Sequence, residues 1–147
     1  MLMAPLLGSE KLLEALQKEL GPNRKPLLIA IDGADGVGKS SLASWLGWQL
    51  GMPALHLDLY LIKDSNPLAW RAGELALLIS SRVDIGRPII VEGIMILDAL
   101  DQISRRPDFL VYVRGNGSHK LSSRIENYRR RQKPEELAKA CLDGFVE

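Results

Sequence analysis

A glycine-rich stretch at residues 33–40 contains the residue types best suited to bind phosphate. It reads GADGVGKS and directly follows LLIAID at 27–32. Glycines at 33, 36 and 38 allow backbone angles that side chains would forbid, so successive N–H groups can turn inward around an anion. Lys39 would reach the β- and γ-phosphates of a nucleotide, and the Ser40 hydroxyl would bind Mg²⁺.

The elements on either side of this stretch strengthen the prediction. An apolar strand precedes the pattern G-x-x-x-x-G-K-S and a helix opens at Ser40-Ser41-Leu42, so the free N–H groups of the helix face the same anion. A plain glycine-rich turn would not explain Lys39-Ser40. The sequence therefore predicts a phosphate-binding loop (P-loop) for a nucleoside triphosphate such as ATP, with Mg²⁺. Its predicted nucleotide-binding residues are Gly33, Ala34, Asp35, Gly36, Val37, Gly38, Lys39, Ser40 and Ser41.

Two carboxylates are predicted to lie beside this loop. Asp58 and Glu92 each lie near the end of an apolar run that reads as a strand, at 54–59 and 89–92 respectively. Ligands of open α/β sheets bind at the carboxyl ends of the strands, so these residues and the loop are expected to converge. One carboxylate there can hold Mg²⁺ together with Ser40, and another can accept the proton of an attacking hydroxyl. The alternatives are a turn cap for Asp58 and a solvated strand end for Glu92.

The elements that must position these residues alternate between strands and helices. This alternation predicts an α/β sandwich of three layers, in which a parallel sheet of about four to five strands carries helices on both faces. The 147 residues form one predicted domain, 1–147. Within it we expect an N-terminal helix at 1–21, capped by Ser9, and a nucleotide-binding core at 27–113. A basic helix and shortened lid region follow at 118–142, with a last helical stretch from Pro134 to about Leu142.

The composition and the net charge limit the classes of partner that we expect for this chain. The formal net charge is +1, and the RRRQK cluster at 129–133 is one short basic run, so nucleic acid is not expected. The apolar runs are too short to cross a bilayer. With Cys141 as the single cysteine, the chain can form no internal disulfide, which fits a cytoplasmic protein. The N-terminal helix could pack on its own sheet or on a partner subunit, so a homo-oligomer stays open.

Four segments together resemble the uridine kinase group of P-loop nucleoside kinases. They are IAIDGADGVGKSSLA, HLDLY, PLAW and PIIVEGIMIL, within residues 27–113, and LVYVRGNGSHKLSSRI extends the similarity toward the family's lid. The resemblance implies transfer of the γ-phosphoryl group of ATP to a hydroxyl of a nucleoside-like small molecule. It also implies Asp58 as the base, Ser40 and Glu92 in the inner or second shell of the metal, and Tyr60 along the acceptor pocket.

The sequence departs from this family toward its end. Chains of the family carry an arginine-bearing lid and then a fifth strand, whereas this chain ends at 145–147, where that strand would be starting or absent. Arg124 is the predicted catalytic arginine, because it falls where the family has a basic pair. Arg129, Arg130 and Arg131 are further candidates, and a solvated helix end is an equal alternative for them. His56 is interpreted as a packed or surface histidine.

Two other functions remain open from the sequence. The first is a regulatory or ATP-hydrolysing module, although the N-K-x-D motif of guanine-reading switches is absent from the sequence. The second is a module of kinase fold that keeps nucleotide binding and has lost phosphoryl transfer, which the short C-terminal region suggests.

Overall fold

Five parallel strands form a single sheet in the computed structural model, which describes residues 3–116 and 122–145. The order across the sheet is β2-β3-β1-β4-β5. The strands are β1 (Leu28–Gly33), β2 (Ala54–His56), β3 (Ile89–Glu92), β4 (Phe109–Arg114) and β5 (Ala140–Asp143). Every residue of β1 and β3 is buried, as expected of strands that are covered on both faces.

Helices cover both faces of this sheet. They are α1 (Ser9–Leu20), α2 (Lys39–Leu50), α3 (Ala72–Val83), α4 (Ile96–Asp101), α5 (Ser122–Gln132) and α6 (Pro134–Leu137). The core on one face includes α1 and α2, and the core on the other includes α3 and α4. Helix α5 contributes to both, through Ile125 and Tyr128 respectively. The predicted three-layer α/β sandwich is therefore confirmed.

The second strand is shorter than predicted. It ends at His56, and a 3₁₀ helix follows over Leu57–Tyr60, so Asp58 does not lie on a strand. The reason is the fully buried Leu57, which packs closely against Gly93 where β3 ends. The chain turns inward there and buries that side chain, and it does not continue along the sheet edge to residue 59.

The C-terminal prediction of a helix to about Leu142 is wrong. Helix α6 ends at Leu137, Ala138 is extended, and residues 140–143 pair in parallel with β4 as a fifth strand. Leu142 is the only buried residue of β5, so the strand lacks the apolar pattern that would reveal it in the sequence. The expectation that the fifth strand is starting or absent at 145–147 is wrong for the same reason.

Several element boundaries also differ from the predictions. Gly8, with φ 89°, precedes α1, and the Ser9 hydroxyl lies inside the helix and donates to the Leu6 carbonyl at 2.7 Å, so Ser9 is not the cap. The predicted start of the basic helix at residue 118 lies outside the described residues. Among the described residues, no helix combines the length and apolar character needed to cross a bilayer.

Candidate nucleotide site

The glycine-rich loop connects the end of β1 with the start of α2, at the carboxyl edge of the sheet. The φ angles of Gly33, Gly36 and Gly38 are 152°, 79° and 108°, a region that L-residues rarely adopt. The main chain after β5 supports the loop from outside, because the Phe145 N–H donates to the Val37 carbonyl at 3.0 Å. The loop is therefore held by the fifth strand as well as by its own turn.

Lys39 lies inside the loop, with only 6% of its surface exposed. Its Nζ donates to the Ala34 carbonyl at 2.6 Å. Burial lowers the pKa of Lys39, while the negative charges of Glu92 and Asp32 oppose that shift. The ammonium has three donors, so two remain to turn toward a phosphate.

A single carboxylate oxygen joins three elements beside Lys39. The Ser40 hydroxyl donates to Glu92 Oε2 at 2.8 Å, and His56 Nδ1 lies 2.5 Å from the same oxygen. Glu92 is 3% exposed, so its carboxylate is desolvated and depends on these two donors. His56 and Glu92 are direct neighbours in the register of β2 and β3. The carboxylate is therefore held next to the loop by contacts from α2 and β2.

Asp58 reaches the same region from the 3₁₀ helix. Its exposed side chain lines a cavity of about 650 Å³ together with Ser40, Ser41 and His56. Trp45 and Leu59 supply apolar parts of the wall. Ser40 links the two carboxylates, since it lines this cavity with Asp58 and donates its hydroxyl to the buried Glu92.

Tyr60 packs against the core on the face of α3 and α4. It is not one of the described residues that line the cavity, and the Arg71 guanidinium lies 5.5 Å from the centre of its ring. The position along an acceptor pocket that the resemblance implied for Tyr60 stays a prediction.

Solved structures of other proteins have a similar architecture. A structure described as a possible uridine kinase from Bacillus stearothermophilus matches 92% of this chain and 97% of that one, with a TM-score of 0.66 and 16% identity. A gluconokinase from Sinorhizobium meliloti 1021 matches 84% of this chain and 86% of that one, with a TM-score of 0.52 and 16% identity. The chain has a uridine kinase-like P-loop kinase fold. No protein-family model and no curated protein matches its sequence.

The arginines of α5 differ in the residues with which they form ion pairs. Arg129 pairs with Glu126 and Glu135, and Arg131 forms two hydrogen bonds with Asp98 of α4. Arg124 is partly buried and makes no hydrogen bond or ion pair with a residue that the structure describes. Of these three guanidinium groups, that of Arg124 is the one without an ion pair to a described residue.

Sequence reasoning missed His56, whose imidazole contacts Glu92. Its position two residues before Asp58, at the end of an apolar strand, is the signal that could have identified it. A polar group at the carboxyl end of a parallel strand faces the same edge as the P-loop.

Asp32 and Tyr128 were also missed. Asp32 is 1% exposed at the end of β1, and the Tyr128 hydroxyl donates to its Oδ2 at 2.5 Å. Burial raises the pKa of Asp32 to about 6, although hydrogen bonds from Tyr128, Ile96 and Gly33 and the charge of Lys39 lower it. A carboxylate directly before the P-loop, inside an apolar strand, was the available signal.

Proposed function

We propose that the protein is an ATP-dependent phosphotransferase that moves the γ-phosphoryl group to a hydroxyl of a small molecule, a nucleoside or a similar metabolite. The observation that carries this proposal is the grouping of Lys39, Ser40, Glu92 and Asp58 at one edge of the sheet, beside a cavity of about 650 Å³. Small-molecule pockets have volumes of about 300–1,000 Å³.

Ser40 and Glu92 fit a magnesium site. Mg²⁺ prefers oxygen ligands and is held by one or two protein groups, with phosphates and water completing its shell. The Ser40 hydroxyl and the Glu92 carboxylate share one hydrogen bond and would bind the ion directly or through water, with Asp58 nearby. The ion would neutralise charge on the phosphates. Among the described residues there is no group of three His, Cys, Asp or Glu side chains that could hold a metal by themselves.

In the proposed reaction, the residues of the chain position the reactants. The loop N–H groups and Lys39 hold the β- and γ-phosphates, and Asp58 accepts the proton of the acceptor hydroxyl. That oxygen forms a bond to the γ-phosphorus as the bond to the ADP oxygen breaks, and ADP leaves. Arg124 would stabilise the charge on the transferred group.

Asp58→Asn tests the proposed base. We expect a fall in kcat of about a hundredfold or more, because general bases contribute about 10²- to 10⁴-fold, with ATP affinity nearly unchanged. ADP formation is measured across a panel of nucleosides and sugars. Asp64→Asn is the matched control, since Asp64 is an exposed aspartate in the same connection and lies outside the cavity lining. No acceptor-dependent turnover, together with unchanged behaviour of Asp58→Asn, would overturn the proposal.

The alternative is a nucleotide-binding or ATP-hydrolysing module of kinase fold that has lost transfer. The short C-terminal region was the reason to consider it, and that region includes strand β5. Slow ATP hydrolysis that no acceptor stimulates would favour this alternative. A cytoplasmic location and a homo-oligomer remain predictions.

A further inference from the structure

A buried hydrogen-bond network outside the proposed reaction site joins three elements. Tyr128 of α5 donates to Asp32 Oδ2 at the end of β1, at 2.5 Å, and both residues are 1% exposed. They are 96 positions apart in the sequence. The contact therefore connects the basic helix with the strand that leads into the P-loop.

Both partners also bind main-chain groups next to the nucleotide site. Asp32 Oδ1 accepts from the Gly33 N–H at 2.9 Å and from the Ile96 N–H at 3.4 Å. The Tyr128 oxygen accepts from the Leu97 N–H at 3.1 Å. Gly33 is the first residue of the P-loop, and Ile96 and Leu97 open α4, where N–H groups have no partner inside the helix. The Asp32 carboxylate and the Tyr128 hydroxyl thus accept hydrogen bonds from the N–H groups of the first P-loop residue and of the start of α4.

Stability alone does not account for a carboxylate at this position. A buried carboxyl group is costly, and apolar residues of similar volume often replace buried polar networks without loss. Asp32 instead keeps its polar contacts directly at the P-loop. Arg124 precedes Tyr128 by four residues in α5, so both side chains lie on the same face of that helix. A second anchor follows three residues after Tyr128, where Arg131 binds Asp98 of α4.

We propose that the Tyr128–Asp32 hydrogen bond is a positioning contact that holds α5 and Arg124 against the P-loop, so that nucleotide affinity depends on a hydroxyl group that does not touch the nucleotide. The role of Arg124 in this statement rests on the proposed function. The coupling between α5 and the P-loop does not, and it can be measured without any ligand.

Amide hydrogen exchange of the nucleotide-free protein tests the coupling. Tyr128→Phe keeps the ring and removes the hydroxyl, and we expect exchange to accelerate by about tenfold in both the P-loop (33–40) and α5 (122–132), as for one lost buried hydrogen bond. Tyr112→Phe is the matched control. Tyr112 is also buried, at 3% exposure, in β4 beside Asp32, and its hydroxyl makes no hydrogen bond with a residue that the structure describes. Acceleration in α5 alone, or equal effects of the two variants, would overturn the proposal.

Asp32→Asn provides a second variant if Tyr128→Phe does not fold. The amide keeps the shape and one acceptor oxygen but leaves the hydrogen of the Tyr128 hydroxyl without its carboxylate. We expect the same paired acceleration in the P-loop and α5. An unchanged exchange rate at residues 33–40 would contradict the coupling.

Kinetics distinguish positioning from simple stabilisation. For Tyr128→Phe we expect the Kd and KM for Mg·ATP to rise about tenfold, while the KM for the acceptor stays the same. A lower melting temperature with unchanged ATP affinity would mean a purely structural role and would overturn the positioning role. If the wild-type protein transfers phosphate to no acceptor, the proposed function fails, while hydrogen exchange and ATP affinity still decide the coupling.

Discussion

At the scale of single residues, Glu92 Oε2 is the atom through which α2, β2 and β3 meet in the candidate site. It accepts a hydrogen bond from the Ser40 hydroxyl and contacts His56 Nδ1, while burial removes it from water. A carboxylate accepts and does not donate, so the Nδ1 position of His56 must carry a hydrogen in this contact. His56 therefore orients the carboxylate that would bind Mg²⁺.

His56→Ala should weaken Mg²⁺ binding without removing a ligand. Partners that orient metal ligands typically contribute about 10- to 100-fold in affinity or activity, so we expect the Mg²⁺ concentration for half-maximal ATP binding to rise at least about tenfold. The measurement is ATP affinity across a magnesium titration. His56→Gln, which keeps a donor, should recover part of the loss. An unchanged magnesium requirement in His56→Ala would contradict this role.

At the scale of elements, the turn from β1 into α2 is controlled by how closely the backbone approaches its neighbours. A Cβ atom at Gly33 would lie 2.6 Å from the Val113 carbonyl oxygen of β4, a contact with main chain that cannot move aside. A Cβ atom at Gly36 would meet nothing within 4 Å. The two glycines have positive φ in common but differ in the space around them.

This difference predicts unequal effects of alanine. Gly36→Ala should lower the unfolding free energy by about 1–2 kcal/mol, the cost of a left-handed conformation for an L-residue. Gly33→Ala should cost more, because a backbone clash adds to the same strain. Urea unfolding of the two variants measures both losses. Equal losses would show that β4 yields at this position and would contradict the prediction.

At the scale of the whole molecule, the sheet order places β1 between β3 and β4. The P-loop, Glu92 and the start of α4 therefore meet at one edge, and Tyr128 of α5 contacts Asp32 and Leu97 there. The buried carboxyl group of Asp32 at this junction makes the stability of the protein depend on pH.

The unfolding free energy should decrease as the pH rises from about 4 to about 6. Burial raises the pKa of Asp32 from 3.8 to about 6, so in this interval the folded state binds more protons than the unfolded state. Stability falls as pH rises under that condition, by up to about 3 kcal/mol for a shift of this size. Urea unfolding from pH 4 to 7 measures the slope, and Asp32→Asn should remove this contribution. Parallel curves for the two proteins would contradict the assignment.

The sequence by itself determined the features that depend on residues close together in the chain. The P-loop is eight consecutive residues, β1 and β3 are continuous apolar runs, and the leucines of α1 recur on one helical face. Backbone preference and burial patterns act over such short distances, so these elements and the α/β fold were predictable. Asp58 and Glu92 could be proposed because parallel strands end at a common edge.

Only the tertiary structure decided which distant groups meet. Strand β5 is recognisable by its pairing with β4, since three of its four residues are not buried. The 3₁₀ helix at 57–60 follows from the burial of Leu57 against Gly93. His56 and Glu92 are 36 positions apart, and Asp32 and Tyr128 are 96 apart. Their contacts depend on strand order and helix packing, which residue spacing along the chain does not encode.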